Sequence, residues 1–414
     1  MQRITTAQSF DTGVDRLQRR QTDLAAAQER LTSGKRVSKA SDDPTAAARA
    51  ERALATEVRS QASQRALDAS RNAMTLTESG LADAGELMQQ AREALVASGN
   101  ATFSDAERAG VAERLSAIRQ QLLAIANRGD GDGGFLFGGQ GGNQAPFVDT
   151  PGGVTFRGTA GEVQVASDEA LPRSIDGQAA WLASRSGNGL FETRAAAAAP
   201  SSVGSWIDSG RVTDPQTFYV ATSPPAVADP AALRYRVDFT TTSAGSTYSV
   251  TKDGTATALT NVPYVSGKAI EVDGMSFAVT GRPVAGDRFE IALATPSLGV
   301  FDTLDRAIAE LKTPLRSSAA VAQGVQRSLS DLDGSMTALQ SLRSRVGEVL
   351  NRTDMVEARI ASQTLAAKTE RSNAEDLDMV QAIADFQSQQ TGYEAALKTY
   401  ASVQRMSLFQ YLNS

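Results

Sequence analysis

The chain has 414 residues, enough for roughly two to four domains. It contains neither cysteine nor histidine, which excludes disulfides, thiolate or imidazole metal sites, cysteine nucleophiles and Ser-His-Asp triads. A formal net charge of −6 argues against a nucleic-acid-binding protein. No apolar run approaches the roughly 20 residues of a membrane span, and the first residues lack the apolar core of a cleaved secretory signal. We therefore expect no catalytic residue, cofactor, metal or nucleic-acid partner, and no membrane insertion.

Proline and glycine divide the chain into three regions. Residues 131–296 hold eleven of the 13 prolines and 22 of the 34 glycines. Because proline breaks helices and glycine weakens them, two helical regions flank a turn-rich middle. We predict a mainly α fold with a β-rich insert. Its segments are a first coiled-coil arm (1–40) paired with a last arm (371–414), inner bundle segments 41–145 and 297–370 paired with each other, and an outer β domain (146–296).

Both arms carry a row of residues at alternating intervals of four and three, the spacing of a and d positions in a coiled coil, and the row is apolar except for Gln21, Gln28 and Gln390. A third stripe of this kind runs from Leu339 to Ile360. An isolated helix with such a stripe needs a partner from the same chain or another. For the inner helices both possibilities stay open, whereas for the arms we expect contacts between chains. The candidate assembly residues are Phe10, Val14, Leu17, Leu24 and Leu31 in the first arm, and Met379, Ile383, Phe386, Tyr393, Leu397, Tyr400, Leu408 and Leu412 in the last.

A polar segment, "LTSGKRVSKASDDPTAAARA", separates the first arm from the next helix. Gly34 is suited to end one helix, and Ser41, Asp42 or Asp43 can cap the helix that opens near Pro44. We predict a structural loop between two helices, with Gly34, Arg36, Asp42, Asp43 and Pro44 as its defining residues.

The middle of the chain carries β signals. Asp253-Gly254 and Asp273-Gly274 each lie between alternating segments and predict type I′ hairpins, which need positive φ at both central residues. "RYRVDF" and "RFEIAL" alternate polar and apolar residues as half-buried strands do. "GGVTFRGTAGEVQVAS" predicts a further short hairpin. "DGDGGFLFGG", from Asp130, begins like a calcium loop but lacks the glycine and glutamate that such a loop requires.

Several segments together resemble the flagellin superfamily. The polar segment matches its N-terminal signature at Leu31, Ser33, Gly34, Arg36, Val37, Ser38, Asp42, Asp43 and Pro44, and the proline after the acidic pair is typical of the hook-associated branch. "GGFLFGGQGGNQAPF" resembles the run that leaves the N-terminal helices in that branch. The last helix, with Gln389-Gln390-Thr391 and the ending "SLFQYL", is similar to the branch's C-terminal helix. The segments "VTGRPVAGDRFEI" and "FDTLDRAI" are similar to the part of the branch's sequence that precedes its C-terminal helices.

The resemblance implies a discontinuous helical bundle formed by the two chain ends, and a structural role in the bacterial flagellum. It implies an adaptor that assembles with itself and joins the hook, through the K-type junction protein, to flagellin. It also implies an extracellular location, export without a cleaved signal and a cytosolic export chaperone. The alternatives are a filament flagellin or, in another class, an exported coiled-coil adhesin or effector with a β ligand-binding domain. A hydrolase based on Asp and Glu in the middle region ranks behind both.

Overall fold

The computed structural model describes residues 6–100, 102–140, 144–161, 164–165, 171–196, 204–224, 229, 232–243 and 245–412. Within them, long helices come from both ends of the chain and shorter ones from the middle. They are α1 (Thr6–Ser33), α2 (Pro44–Ser98), α3 (Asp105–Ala126), α4 (Gln178–Leu182), α5 (Pro215–Thr222), α6 (Val300–Lys312), α7 (Ser318–Glu375) and α8 (Met379–Leu412). The expected fold class, mainly α with a β-rich insert, is confirmed.

The chain forms two compact units. The terminal unit comprises residues 1–65 and 355–414, and the large unit comprises residues 66–354. Both boundaries between the units fall inside helices, α2 and α7. Among the predicted boundaries, the one at 370/371 also falls inside α7, whereas the one at 40/41 lies in the loop before α2.

The terminal unit has a small core made mainly of alanine. In the first part of α2 the buried residues include Ala46, Ala50 and Ala53, and in the last part of α7 they include Val356 and Ile360. Small side chains leave little apolar area to bury, so this core stabilises the unit weakly. An ion pair between Glu57 and Arg371, 3.4 Å apart, also joins the two helices.

The helical part of the large unit has a continuous core of large side chains. It is built from α2, α3, α6 and α7, and it includes the aromatic rings of Phe137, Phe147, Trp181 and Phe301. The Trp181 and Phe301 rings stack with centroids 5.9 Å apart. The third predicted stripe lies largely here, since Leu339 and Val346 are buried.

Arg119 joins three elements of the large unit. Its guanidinium donates to both carboxylate oxygens of Asp149, at 2.7 and 2.8 Å, and to Asp305 on α6. The Arg119 side chain is buried, so these paired charges replace the water that it loses on folding. The contact also lowers the pKa of Asp149 below its ordinary value.

The middle of the chain forms short strands. They are β1 (Phe147–Thr150), β2 (Gly153–Phe156), β3 (Gln164–Val165), β4 (Leu171–Pro172), β5 (Ser184–Arg185), β6 (Phe191–Ala195), β7 (Ser205–Ile207), β8 (Arg211–Val212), β9 (Arg234–Thr242), β10 (Gly245–Lys252), β11 (Thr255–Ala256), β12 (Val262–Pro263), β13 (Ala269–Val272), β14 (Met275–Gly281), β15 (Arg288–Leu293) and β16 (Pro296–Leu298). The largest sheet has the order β11-β10-β9-β15-β6, with β12 on β10. A second has the order β13-β14-β7, with β8 on β14. These strands enclose a separate apolar core.

Both Asp-Gly hairpins are confirmed. Asp253 and Gly254 have φ of 47° and 80° and connect β10 to β11, and Asp273 and Gly274 have φ of 47° and 77° and connect β13 to β14. The predicted alternation is present over Arg234–Phe239 in β9 and over Arg288–Ile291 in β15, where buried and less buried residues alternate.

The third predicted hairpin, in "GGVTFRGTAGEVQVAS", is wrong, because its first strand pairs with a different strand. Strand β2 pairs with the preceding β1 around a turn at Pro151-Gly152, rather than with the segment that follows it. This closer pairing brings the rings of Phe147 and Phe156 to a centroid separation of 5.2 Å. The following strand, β3, pairs with β4 instead.

Candidate functional site

Helices α1 and α8 run antiparallel in the terminal unit. A Cβ added at Gly13 would lie 3.6 Å from the ring of Tyr400, and one added at Gly392 would lie 2.7 Å from the guanidinium of Arg20. As the residue number rises from 13 to 20 along α1, the number of the contacted residue falls from 400 to 392 along α8. The first and last helices of the chain pack against each other along these contacts.

No side chain described in this helix pair, over residues 11–33 and 379–402, is buried. The half-buried assembly candidates are Val14, Leu17, Leu24, Leu31, Phe386, Tyr393 and Tyr400. Met379, Ile383 and Leu397 remain 45%, 46% and 41% exposed. The backbones of Phe10, Leu408 and Leu412 are helical, but their side chains lie outside the described residues. Part of the apolar surface of the pair therefore stays exposed to solvent after α1 and α8 have packed against each other.

The loop after α1 begins with a glycine in the left-handed region. Gly34 has φ of 69°, and its amide donates to the Arg30 carbonyl at 2.9 Å. A residue without Cβ adopts this conformation at little steric cost, which is why glycine commonly ends a helix. The expected helix end at Gly34 is confirmed.

The two aspartates of the loop have different roles. Asp43 Oδ1 accepts from the amides of Thr45 and Ala46 at 3.2 and 3.0 Å, so Asp43 is the residue that caps α2. Asp42 Oδ2 accepts from the amides of Ser38 and Lys39 at 3.1 and 3.0 Å and closes the loop upon itself. Pro44 follows as the first helical residue, where its missing N–H is not needed.

Hydrogen bonds to the capping carboxylate change its acidity. The Ala46 amide, the Thr45 hydroxyl and Arg36 together lower the pKa of Asp43 to about 2. The amides of Lys39 and Ser38 lower the pKa of Asp42 in the same direction. Both carboxylates therefore favour the folded loop in their charged forms.

The loop is bonded to the connection between α7 and α8. We call residues 34–43 together with 374–378 the clasp. Across it, the Arg36 amide donates to the Glu375 carbonyl at 2.7 Å, and the Leu377 amide donates to the Gly34 carbonyl at 3.0 Å. Backbone bonds in both directions make a short antiparallel bridge between the two connections. The clasp therefore fixes where α1 and α8 leave α2 and α7.

Side chains reinforce the clasp. The Arg36 guanidinium donates to the Ala374 carbonyl at 2.8 Å and pairs with Asp43 at 3.3 Å. Lys35 pairs with Glu375 at 3.1 Å. Arg36 thus links the start of α2 to the end of α7, which gives the arginine of the polar segment a structural role.

The second half of the clasp was not predicted from the sequence. Asp378 accepts from the amides of Val380 and Gln381 at 3.0 and 3.2 Å and caps α8. The run "EDLD" before Met379 carries the acidic residues that open a helix, so this cap had a recognisable signal. The bond from Arg36 to a backbone carbonyl 338 residues away had none in the sequence.

The calcium-like segment is satisfied by the protein itself. Asp130 Oδ1 accepts from the amides of Asp132 and Gly134 at 2.9 and 2.8 Å, and Arg173 pairs with both aspartates. No group of three or more acidic residues in the described part of the chain is arranged to hold a metal ion. Among the described helices, none is both long and apolar enough to cross a membrane.

The fold and the clasp define a class of protein in which the two chain ends form one helical unit. The family model "Bacterial flagellin N-terminal helical region" matches residues 4–141, and "Bacterial flagellin C-terminal helical region" matches residues 329–412. Together they cover more than half of the chain, which belongs to the flagellin superfamily.

Within the superfamily, the chain is similar to hook-associated proteins. It is 24% identical over 414 residues to flagellar hook-associated protein 3 of Salmonella typhimurium, covering 99% of each chain. The same protein of Escherichia coli is 24% identical over 388 residues, covering 92% of this chain and 90% of the relative. These relatives favour the hook-associated branch over filament flagellin.

Solved structures agree with this assignment. The flagellar junction protein FlgL from Legionella pneumophila superposes with a TM-score of 0.62 at 26% identity, covering 70% of this chain and 94% of that one. FlgL of Xanthomonas campestris gives a TM-score of 0.66 at 25% identity, covering 78% and 99%. The expected discontinuous bundle with a central β region is confirmed.

Proposed function

We propose that the protein is a structural component of the bacterial flagellum that joins the hook to the filament, with α1 and α8 as its main assembly surface. The observation that carries the assembly role is the helix pair itself. Most of its heptad positions are apolar, yet none of its described side chains is buried within one chain. The names of the relatives support the position in the flagellum.

The exposed apolar surface supplies a driving force for association. A large apolar side chain contributes about 1.5–3 kcal/mol when it passes from water to a fully buried site. Met379, Ile383 and Leu397 are nearly half exposed, so each retains part of this free energy for contacts with neighbouring subunits. A ring of copies would bury these side chains together.

The clasp fixes the point from which α1 and α8, which carry the assembly surface, extend in each copy. Because backbone bonds and Arg36 hold the loop after α1 to the connection before α8, the two assembly helices leave the rest of the terminal unit from one point. An adaptor between two structures needs such a reproducible geometry. In this proposal the K-type junction protein contacts one side of the ring and flagellin the other.

The remaining parts of the proposal concern transport and chemistry. A cytosolic export chaperone covers the apolar surface of α8 until the subunit leaves the cell, and the assembled protein is extracellular. The role is mechanical rather than catalytic. The bonds that occupy Asp130 and Asp132 support this view for the one segment with a ligand-like sequence.

The test replaces Leu397 and Tyr400 with serine in the only copy that the cell carries. We expect export to continue, the melting temperature of the large unit to stay unchanged, and hooks to lack attached filaments while flagellin accumulates in the medium. A matched control changes Tyr219 and Val220 to serine, since these residues are 68% and 58% exposed on α5 in the large unit. The control cells should keep their filaments.

Three results would contradict parts of the proposal. Normal filaments on cells with the Leu397→Ser/Tyr400→Ser protein would exclude this surface as the assembly contact. Loss of secretion would assign the defect to export, so the secreted amount is measured alongside motility. Labelled protein along the whole filament, rather than at its junction with the hook, would identify a flagellin.

A further inference from the structure

Helix α7 carries a second heptad row on its outer side in the terminal unit. The row steps by alternating threes and fours through Met355, Ala358, Ser362, Leu365, Thr369 and Ser372, and all six residues are exposed. Met355 and Leu365 are each 67% exposed. None of the six carries a charge. We call these six residues the outer α7 face.

The opposite side of the same helix is already occupied. Val356, Ile360, Ala367 and Ala374 point into the core of the terminal unit and are buried. The outer α7 face is therefore a separate surface, which no described element of this unit covers. The row has the spacing at which helices pack against one another, and Met355, Ala358 and Leu365 supply its apolar surface.

Charge indicates which helix fits. The parts of α2 and α7 in the terminal unit, residues 44–65 and 355–374, carry seven Lys/Arg and four Asp/Glu. Within α8, residues 379–397 carry two acidic residues, Asp385 and Glu394, and no Lys or Arg. Opposite charge favours the approach of these two surfaces and selects against pairing of like surfaces.

The first half of α8 also presents apolar side chains. Val380 is 82% exposed and Ile383 is 46% exposed, although α1 already packs along α8. We propose that the outer α7 face binds the first half of α8 from a second copy of this chain. The inference rests on the proposed self-assembly and adds a second contact to it.

The contact joins two different surfaces, so it is heterologous. Each copy offers one outer α7 face and one α8 segment, and it can bind a neighbour on each side. Such contacts generate a closed ring if the rotation between copies closes and a helical array if it does not. They do not stop at a dimer, as required for a structure that continues from hook to filament.

Cysteine cross-linking tests the inference directly because the chain has no cysteine of its own. Two differently tagged copies are expressed together in one cell, one with Leu365→Cys and the other with Ile383→Cys. A disulfide forms only when the two Cα atoms come within roughly 7 Å, so an adduct with both tags reports a contact between chains. Flagella are isolated, oxidised mildly and probed for both tags.

Matched controls lie beside the tested positions. Gln363→Cys replaces Leu365→Cys, since Gln363 is an exposed α7 residue outside the outer α7 face. Ser388→Cys replaces Ile383→Cys, since Ser388 is exposed on another side of α8. We expect the adduct of Leu365→Cys with Ile383→Cys to exceed either control pairing by at least about tenfold, because disulfide formation depends steeply on geometry.

The outcomes separate this contact from the proposed function. Attached filaments with no excess of the two-tag adduct would overturn the inference and leave the junction role in place. Adducts between two Leu365→Cys copies would indicate like-with-like pairing and would also overturn it. Secreted protein that never reaches the hook–filament boundary, wild type included, would overturn the proposed function and the inference with it.

Discussion

In the large unit, Leu67, Leu81 and Leu115 are at most 2% exposed, whereas no described side chain of α1 or α8 is buried in the terminal unit. The same residue type therefore has different partners in the two units. In the large unit these leucines complete a core within one chain, whereas the described leucines of α1 and α8 keep part of their apolar surface exposed. Under the proposed function other copies bind this exposed surface, so stability and assembly depend on different parts of the molecule.

The largest expected effect lies in the core of the large unit. Leu115→Ala should lower the free energy of unfolding by about 2–5 kcal/mol, because a buried leucine leaves a cavity when it is truncated. Leu24→Ala in α1 should change it by less than about 1 kcal/mol, because that side chain is half exposed. Urea unfolding followed by tryptophan fluorescence reports the large unit, since Trp181 and Trp206 belong to it, and far-ultraviolet circular dichroism reports the helices of both units. Equal costs for the two variants would break the comparison.

The next effect concerns the ion pairs of Arg119. Arg119→Met should cost about 2 kcal/mol, below the roughly 3–5 kcal/mol of a fully buried pair, because Asp149 and Asp305 are partly exposed. The lowered pKa of Asp149 means that its stabilisation is complete above its unfolded value of about 3.9 and is lost as the pH falls through the folded value. The difference between wild type and variant should therefore shrink in acid. Urea midpoints at pH 6 and pH 3 give the measurement, and a constant difference would contradict the assigned charge effect.

Two glycines of the terminal unit give a smaller pair of effects with opposite signs. Gly34→Ala should destabilise the unit by about 1 kcal/mol, because φ is positive and a Cβ strains the backbone although nothing lies near it. Gly13→Ala should stabilise α1 by about 0.5–1 kcal/mol, because the position is helical and the added methyl meets Tyr400 at an ordinary contact distance. Thermal loss of helical circular dichroism measures both. A destabilising Gly13→Ala would show that the ring of Tyr400 lies closer to α1.

The smallest effect is local to the clasp. Asp43 stabilises the start of α2 in its charged form, so this contribution is present above about pH 4 and fades as the pH falls through about 2. Asp43→Ala should increase hydrogen exchange at Thr45 and Ala46 several-fold at neutral pH, and Asp43→Asn should retain most of the protection because asparagine also caps helices. Unchanged exchange in the alanine variant would remove Asp43 from the cap.

Local signals in the sequence predicted local structure well. The helix end at Gly34 and both Asp-Gly turns follow from the residue types that those conformations require. For the cap of α2 the sequence left Ser41, Asp42 and Asp43 open, and the structure shows Asp43 in that role. The arms and the β insert followed from proline, glycine and heptad spacing. These features depend on neighbours along the chain, which a sequence displays directly.

Features that join distant segments were not predictable. The pairing of β6 with β15 connects Phe191 to Leu293, and Arg119 meets Asp149 and Asp305 only after the chain has folded. Strand β2 was assigned the wrong partner because two candidate turns stood on either side of it. The bond from Arg36 to the Ala374 carbonyl uses a backbone group, and a backbone group leaves no trace in a residue pattern.

The central claim is that the α1–α8 pair gains its protection from neighbouring copies. Hydrogen exchange of the purified subunit and of the same protein in isolated flagella tests it most directly. We expect rapid exchange along α1 and α8 in the subunit, slow exchange in the core helices α3 and α6, and strong protection of α1 and α8 after assembly. Equal protection of α1, α3 and α8 in the isolated subunit, unchanged by assembly, would contradict it.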